Sequence, residues 1–320
     1  MVDPRRPYFP GPSLGHGLIK QQPEDFVVTE QLGFEPSGRG EHLFFWIEKR
    51  GISTHDVAAE LAELLNLPRR AIGYSGRKDK HALCYQWFSA HRPGIDRPRL
   101  LPQSHWQVLQ VTRNARHLKV GTHQANDFDL WIREAEVDPD ALHTRFEQLE
   151  RDGVPNYFGR QRFGLDNLER ALRGGQDEMA LAAARSALFN RMLEQRVRSG
   201  EWLSMPSGEP WLRRTGNGWV MQPTPDQLVD PCLPLFGPTP GVDPQRRQAW
   251  QDEFKQHADL VAVLAQHSWQ PHRRRSRLLP SHTQLEIHPQ GIRIRARLPA
   301  GAFMTTVLDA LLETHDAHTY

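Results

Sequence analysis

Strand-like runs follow one another through the first part of this chain with only one helix pattern among them, and that order constrains the fold more than any other feature. Phe26-Val27-Val28-Thr29-Glu30 reads as a short strand, and Leu43-Phe44-Phe45-Trp46-Ile47 as a second, hydrophobic on both faces and so placed inside a sheet. Leu83, Tyr85, Trp87 and Ser89 alternate with Cys84, Gln86 and Phe88, the period of a third strand. The runs 106–112 and 128–132 supply two more. The Gly-, Pro- and Ser-rich segment 34–41 reads as a turn. Ser53 or Thr54 can cap the intervening helix, whose Val57, Leu61, Leu64 and Leu65 share a face and which ends before Pro68. Consecutive strands of this kind predict an α+β fold with a mixed, largely antiparallel sheet flanked by helices, because a doubly wound sheet needs a helix after each strand.

Asp138-Pro139 opens a second helix, with Leu142, Phe146 and Leu149 on its buried side, and Asp152-Gly153 ends it. Beyond Gly153 the texture changes. Asp166, with Glu169 three residues on, caps one helix; a long alanine-rich helix runs through Leu181, Ala184, Leu188 and Met192. Residues 205–240 are crowded with proline and glycine, and a further helix is expected from Pro244 to about Ser268. The segment 285–298 alternates as paired strands around Pro289 to Gly291, and 306–312 reads as a short terminal helix. A chain of 320 residues is long enough for two domains, each with its own core.

The 40 basic and 38 acidic residues nearly cancel, so net charge announces no polyanion partner. Local clusters matter more: Arg69-Arg70, Arg77-Lys78, Arg160 with Arg162, and Arg273-Arg274-Arg275. Arginine's planar fork suits phosphate and stacks on bases, although a solvated face is the commoner reading of any single cluster. Cys84 and Cys232 form no CxxC pair, which argues for a reducing compartment and against a structural zinc site. The polar, proline-rich start carries no signal-peptide core, and no window holds the apolar run of a membrane helix, so a cytoplasmic protein is expected.

One carboxylate stands out. Asp79 lies among Arg77, Lys78 and Lys80, after a flexible Tyr74-Ser75-Gly76 turn and just before a strand, where a scaffold can present a reactive group. Flanking positive charge favours its ionised form, available as nucleophile or base. The same pattern also describes an exposed loop whose charges pair with one another and with water. Three stretches set aromatic beside polar or basic residues: Lys20 with Glu24-Asp25-Phe26; Lys119, Asn126 and Phe128; and VPNYFGRQRFG from Val154. Stacking rings, an amide for a base edge and cations for phosphate together describe RNA recognition, while Phe26 and Phe128 also read as core and Asn126 as a turn residue. His81 and Cys84 lack a second pair of metal ligands, and no P-loop, GxGxxG or GxSxG motif is present. A magnesium site from Asp25 and Asp79 would be opposed by the cations around Asp79.

Gly76-Arg77-Lys78-Asp79-Lys80-His81-Ala82, followed by Gln86-Trp87-Phe88, resembles the nucleophile loop of the TruD family of tRNA pseudouridine synthases. So do Pro23-Glu24-Asp25-Phe26, Asn126-x-Phe128, Asn156-Tyr157-Phe158-Gly159-x-Gln161-Arg162-Phe163-Gly164, Ser186-x-Leu188-Phe189-Asn190 and Pro299-Ala300-Gly301-x-Phe303, in family order over nearly the whole chain. The segment 205–240 and the first dozen residues match poorly.

The resemblance implies a discontinuous catalytic core, 1–153 with 303–320, and an inserted α/β domain, 154–302, specific to the family. It implies Asp79 as the catalytic aspartate, base contacts at positions Phe26, Asn126 and Phe303, and Phe128 packed near the nucleophile. Lys20, Lys78 and the Arg160–Arg162 pair would then hold backbone phosphates. The implied partner is tRNA, with uridine 13 the implied target. The isomerisation is neither an oxidation nor a hydrolysis, so no cofactor is expected. The competing expectation is a non-catalytic tRNA-binding or tRNA-folding protein on the same fold.

Overall fold

The structure, a computed structural model, describes residues 8–94, 98, 100–164, 166–205, 208–214 and 218–318; the first seven residues of the polar start lie outside the described set. Its contacts divide into two compact units. One contains Leu14–Glu150, Pro280–Gly301 and the residues from Leu311 onward; the other contains Arg151–Leu279 and Ala302–Ala310 together with the start of the chain.

The first unit is built on a ten-stranded sheet. Its strands are β1 (Gly15–Ile19), β2 (Phe26–Gln31), β3 (His42–Arg50), β4 (Ile72–Tyr74), β5 (Leu83–His91), β6 (Trp106–Asn114), β7 (Ala125–Val137), the hairpin Ser281–His288 and Gly291–Pro299, and a terminal strand Glu313–Asp316. From one edge the order is the hairpin, β7, β2, β5, β3 and β6, with β1 pairing both β7 and the terminal strand, and β4 pairing β5. Among the described residues only the pairs β2–β5 and β1–terminal strand are parallel. The sheet is therefore mixed and largely antiparallel, as the run of consecutive strands predicts.

The helix α1 (Thr54–Leu64) starts where Ser53 Oγ accepts from the Asp56 amide at 3.1 Å. Its buried Val57, Ala58, Leu61 and Ala62 meet Leu43, Phe45, Ile47, Ile72 and Phe88 of the sheet. Each such large side chain taken from water contributes about 1.5–3 kcal/mol. Leu64, expected on the buried face, is exposed, because the helix stripe is completed by Ala58 and Ala62 instead. Gly73 in β4 is required by a close approach: an added Cβ would meet the Leu118 carbonyl and, at 2.8 Å, Ser89 Oγ.

The hairpin belongs to this sheet rather than to the inserted segment 154–302. Gly291–Pro299 pairs with β7 over its full length, from Gly291 opposite Arg133 to Pro299 opposite Ala125. The pairing turns Ile292, Ile294, Ala296 and Leu298 inward, where they are buried. The terminal helix is also shorter than expected. It spans Met304–Asp309, and the chain then extends as Glu313–Asp316 beside β1, with Thr314 buried.

The second unit is organised by the helix Glu178–Arg198, capped by Asp177 Oδ1, which accepts from the Met179 and Ala180 amides at 3.1 Å. Its alanines at 180, 183, 184 and 187 let neighbours approach closely, and Leu188, Phe189, Met192 and Leu193 pack with Tyr157, Phe163, Leu233 and Trp250. The helix expected from Pro244 to Ser268 is two helices, Pro244–Lys255 and Ala258–Leu264. At the break the amides of Gln256 and His257 turn to carbonyls three residues back, Glu253 and Phe254, tightening the last turn. Among the described residues no helix is long and apolar enough to cross a membrane.

Candidate active site

The loop from Ser75 to Lys80 joins β4 to β5, and side chains from the sheet and α1 hold its backbone. Gln86, fully buried in β5, donates from Nε2 to the Gly76 carbonyl at 2.9 Å. Its Oε1 accepts from the Thr54 hydroxyl at 2.8 Å, and Thr54 Oγ1 accepts from the Lys78 amide at 2.9 Å. Thus the first residue of α1 and a strand residue together fix the loop. Lys49 of β3, also fully buried, donates from Nζ to the Asp79 carbonyl at 2.6 Å and to the Ile52 carbonyl at 2.8 Å.

This clamp presents the Asp79 carboxylate to Lys20. Lys20 Nζ lies 2.6 Å from Asp79 Oδ2 and 2.8 Å from Asp316 Oδ2, while Asp79 Oδ1 accepts from the His81 amide at 3.0 Å. Burial pushes the Asp79 pKa up, but the charge and hydrogen bond of Lys20 with the His81 amide outweigh it, and the carboxyl sits below its ordinary value. Asp79 is an anion at neutral pH. The cation that holds it so is not one of its sequence neighbours. Arg77 and Lys80 are exposed, and Lys78 turns away to Glu30, Nζ to Oε2 at 2.6 Å, where both side chains are buried.

Lys20 and Lys78 are therefore each engaged with carboxylates inside the protein, and neither presents its ammonium to solvent as a phosphate contact would. Lys20 has a second contact, with its ammonium 4.9 Å from the ring centroid of Phe26. Phe26 is buried and meets Phe128 edge to face, 6.0 Å between centroids at 84°. Asp79, Lys20, Phe26 and Phe128 thus form one continuous set of contacts.

Asn126, at the start of β7, is buried. Its Nδ2 lies 3.3 Å from His123 Nε2, and its Oδ1 has no hydrogen-bond partner among the described residues. His123 in turn abuts the loop: a Cβ added at Gly76 would come 3.0 Å from His123 Cε1. A buried, unpartnered amide oxygen is a ready acceptor for a ligand N–H or O–H. His123, Lys49, Glu30 and Asp316 carry no signal in the sequence beyond their residue types. They are found only because the sheet brings distant positions together.

Phe303 belongs to the second unit. There its ring packs on Phe158 at 6.2 Å, and the Arg274 guanidinium lies 6.0 Å from Phe303 and 4.0 Å from Phe158. Asn190 fixes Phe158 at both ends of its backbone, accepting from its amide at 2.8 Å and donating to its carbonyl at 2.9 Å. Arg274 bonds the Asn156 carbonyl at 3.0 Å and Asn156 Oδ1 at 2.7 Å. Burial, then the charge of Arg162, lowers the Arg274 pKa to about 9, which leaves it cationic at neutral pH. Arg160 pairs with Asp309 at 3.0 Å, and Arg162 donates to Ser186 Oγ at 3.2 Å, so the pair expected to grip phosphate is tied into its own unit. Among the described residues no group of three or more His, Cys, Asp or Glu side chains is arranged to hold a metal ion.

A family model for tRNA pseudouridine synthase D (TruD) matches residues 11–175, the span that carries the Asp79 loop, Asn126 and the Asn156–Gly164 run. The chain belongs to the TruD family. Over 329 residues it is 36% identical to the tRNA pseudouridine synthase D of Pseudomonas entomophila (strain L48), with 95% of this chain and 93% of that relative covered. It is 43% identical over 218 residues to the protein of the same name from Cellvibrio japonicus (strain Ueda107), covering 62% of this chain and 64% of the other. A crystal structure of the TruD protein of Methanosarcina mazei superposes with a TM-score of 0.67 over 97% of this chain and 96% of that one. At 19% identity that likeness speaks for the fold alone. The TruD-family loop is where the ordered backbone clamp and the ionised carboxylate coincide.

Proposed function

We propose that this TruD-family chain isomerises uridine to pseudouridine in tRNA, at uridine 13, with Asp79 as the catalytic carboxylate. The relatives' names support the reaction and its substrate class. The observation that carries the assignment of Asp79 is its geometry: a carboxylate kept ionised by a buried lysine at 2.6 Å while a second buried lysine pins its backbone.

In the reaction the C1′–N1 bond breaks, the detached uracil turns, and C5 bonds to C1′; N1 gains the hydrogen that C5 gives up. Nothing is oxidised, so the chemistry balances without a redox partner. A uridine stacked within tRNA is out of reach of any side chain, so it is flipped into the site. Phe26 and Phe303 then hold the ring, Asn126 Oδ1 accepts from its edge, Phe128 supports Phe26, and Asp79 acts at the sugar or the ring. The sheet-bearing unit serves as the catalytic core, and the unit built on Glu178–Arg198 serves as the family's inserted domain.

The deciding experiment is carbodiimide primer-extension mapping of tRNA incubated with wild type and with Asp79→Asn. A new stop at one uridine with wild type, and none with the variant although tRNA still binds, is the expected result. Tight binding without a stop for either protein would replace the enzyme with a tRNA-binding protein on the same fold.

A further inference from the structure

In the second unit three arginines share one carboxylate. Asp230 is 5% exposed and ends the strand Val229–Asp230, which pairs with Trp211–Arg213. Arg214 reaches its Oδ1 from Nε at 3.2 Å, Arg277 reaches the same oxygen at 2.6 Å, and Arg275 reaches Oδ2 at 3.3 Å. Arg275 also donates to the carbonyls of Arg213 and, at 3.3 Å, Arg214. The carboxylate therefore gathers guanidiniums from separate segments into one fixed array.

The array is not balanced. One carboxylate against three guanidiniums leaves two positive charges over, and the arginine side chains remain 33%, 29% and 17% exposed for Arg214, Arg275 and Arg277. Both terminal amino groups of Arg214, and one each of Arg275 and Arg277, meet no acceptor among the described residues. The arginine ladder of the first unit shows the contrast. There Arg293, Arg295 and Arg297 face Asp127, Asp129 and Glu286, three against three. Glu209 is different again, fully buried and matched by Arg196, Arg246 and the Trp250 N–H. The Asp230 group joins fixed geometry to a two-charge excess and donors on partly exposed side chains.

Planar forks with spare N–H groups suit phosphate oxygens, which they meet bidentately. We propose that Arg214, Arg275 and Arg277 form a docking surface for the sugar-phosphate backbone of the tRNA, separate from the residues that contact the target uridine. The inference rests on the tRNA reading above and extends it to a second region of the substrate.

The test is the double variant Arg214→Gln/Arg275→Gln, which leaves Arg277 on Asp230, assayed for tRNA affinity between about 50 and about 200 mM salt and for turnover. Loss of two phosphate contacts should weaken binding on the order of tenfold per contact, lower the salt slope by about 0.9 for each, and raise KM with kcat retained. An unchanged KM and slope in a system where wild type modifies tRNA overturns the surface and leaves the enzyme reading intact. Absence of turnover by wild type sinks the enzyme reading, while the slopes still decide the surface. If the double variant does not fold, Arg214→Gln alone decides, since Arg214 holds Asp230 through one bond. Unchanged tRNA binding with lost binding of polyglutamate would assign the surface to an acidic protein and overturn the proposal.

Discussion

Lys20 and Asp79, 59 positions apart in the chain, form a 2.6 Å ion pair that Lys20 makes from a left-handed backbone with φ of 60°. A non-glycine residue in that conformation costs about 1–3 kcal/mol, and it persists only where its surroundings hold it. Here they do: the ammonium is bracketed by Asp79 and Asp316 and lies over the Phe26 ring.

Replacing Lys20 with Met should cost turnover on the order of 10²-fold, the scale of losing one preorganised electrostatic partner, and about 3 kcal/mol of stability from the orphaned carboxylates. The pH dependence gives a sharper readout. Asp79 is depressed below 3.8, so its contribution is present above that value and lost as pH falls through the lower, folded value. Without Lys20, burial is opposed by the amide and charge of His81 but no longer by the lysine, so the carboxyl pKa rises from its wild-type value. The acid limb of kcat/KM should then move to higher pH; an unmoved limb would show that Lys20 does not set the charge of Asp79.

Lys49→Met tests the backbone side of the same residue. The fully buried ammonium serves two carbonyls, those of Asp79 and Ile52. Leaving them unsatisfied costs about 1–3 kcal/mol each. Thermal unfolding should show a lower Tm, and turnover should fall while tRNA affinity holds. Normal turnover at a lowered Tm would make Lys49 a structural residue only.

The five long strands from Phe26 to Val137, the α1 cap and the position of the Asp79 loop were legible because local pattern determines them, whereas Gly15–Ile19, Ile72–Tyr74 and Glu313–Asp316 were not. Period-two alternation fixes Leu83–His91, and a serine before an apolar stripe fixes the start of Thr54–Leu64. What sets the charge state of Asp79 was not legible, since neighbouring Arg77, Lys78 and Lys80 are nearest in sequence but Lys20 is nearest in space. The hairpin Ser281–Pro299 was legible as strands but not as part of the large sheet, because its partner β7 lies far upstream. The break after Lys255 left no proline or glycine to announce it.

His123 makes a second pH prediction. Burial, then the charge of Lys78, lowers its pKa below 6.5 against the pull of Glu30 and the Ser75 backbone, so the ring is neutral at pH 7 and Nε2 can accept from Asn126 Nδ2. As pH falls below 6.5 through the folded value, protonation turns that nitrogen into a donor and releases the amide. A limb in kcat/KM is expected in that range for wild type. His123→Leu should abolish it and lower kcat/KM about fivefold at neutral pH, the weight of one hydrogen bond. A limb that survives in the variant belongs to another group.

Gly159→Ala probes how Phe303 is placed. The backbone at Gly159 has φ of −70°, which alanine adopts freely, so any effect is steric. An added methyl would stand 2.8 Å from Thr305 Oγ1 and 3.0 Å from Phe303 Cβ, and one of them must move, at a cost of about 1–3 kcal/mol. If Phe303 holds the flipped uracil, displacing it should lower kcat/KM in the same way as Phe303→Ala. The double variant should then lose little beyond either single one, because both act through one ring. Fully additive losses would mean that Gly159 serves the fold of its own segment and that Phe303 owes its position to Phe158 and Arg274 alone.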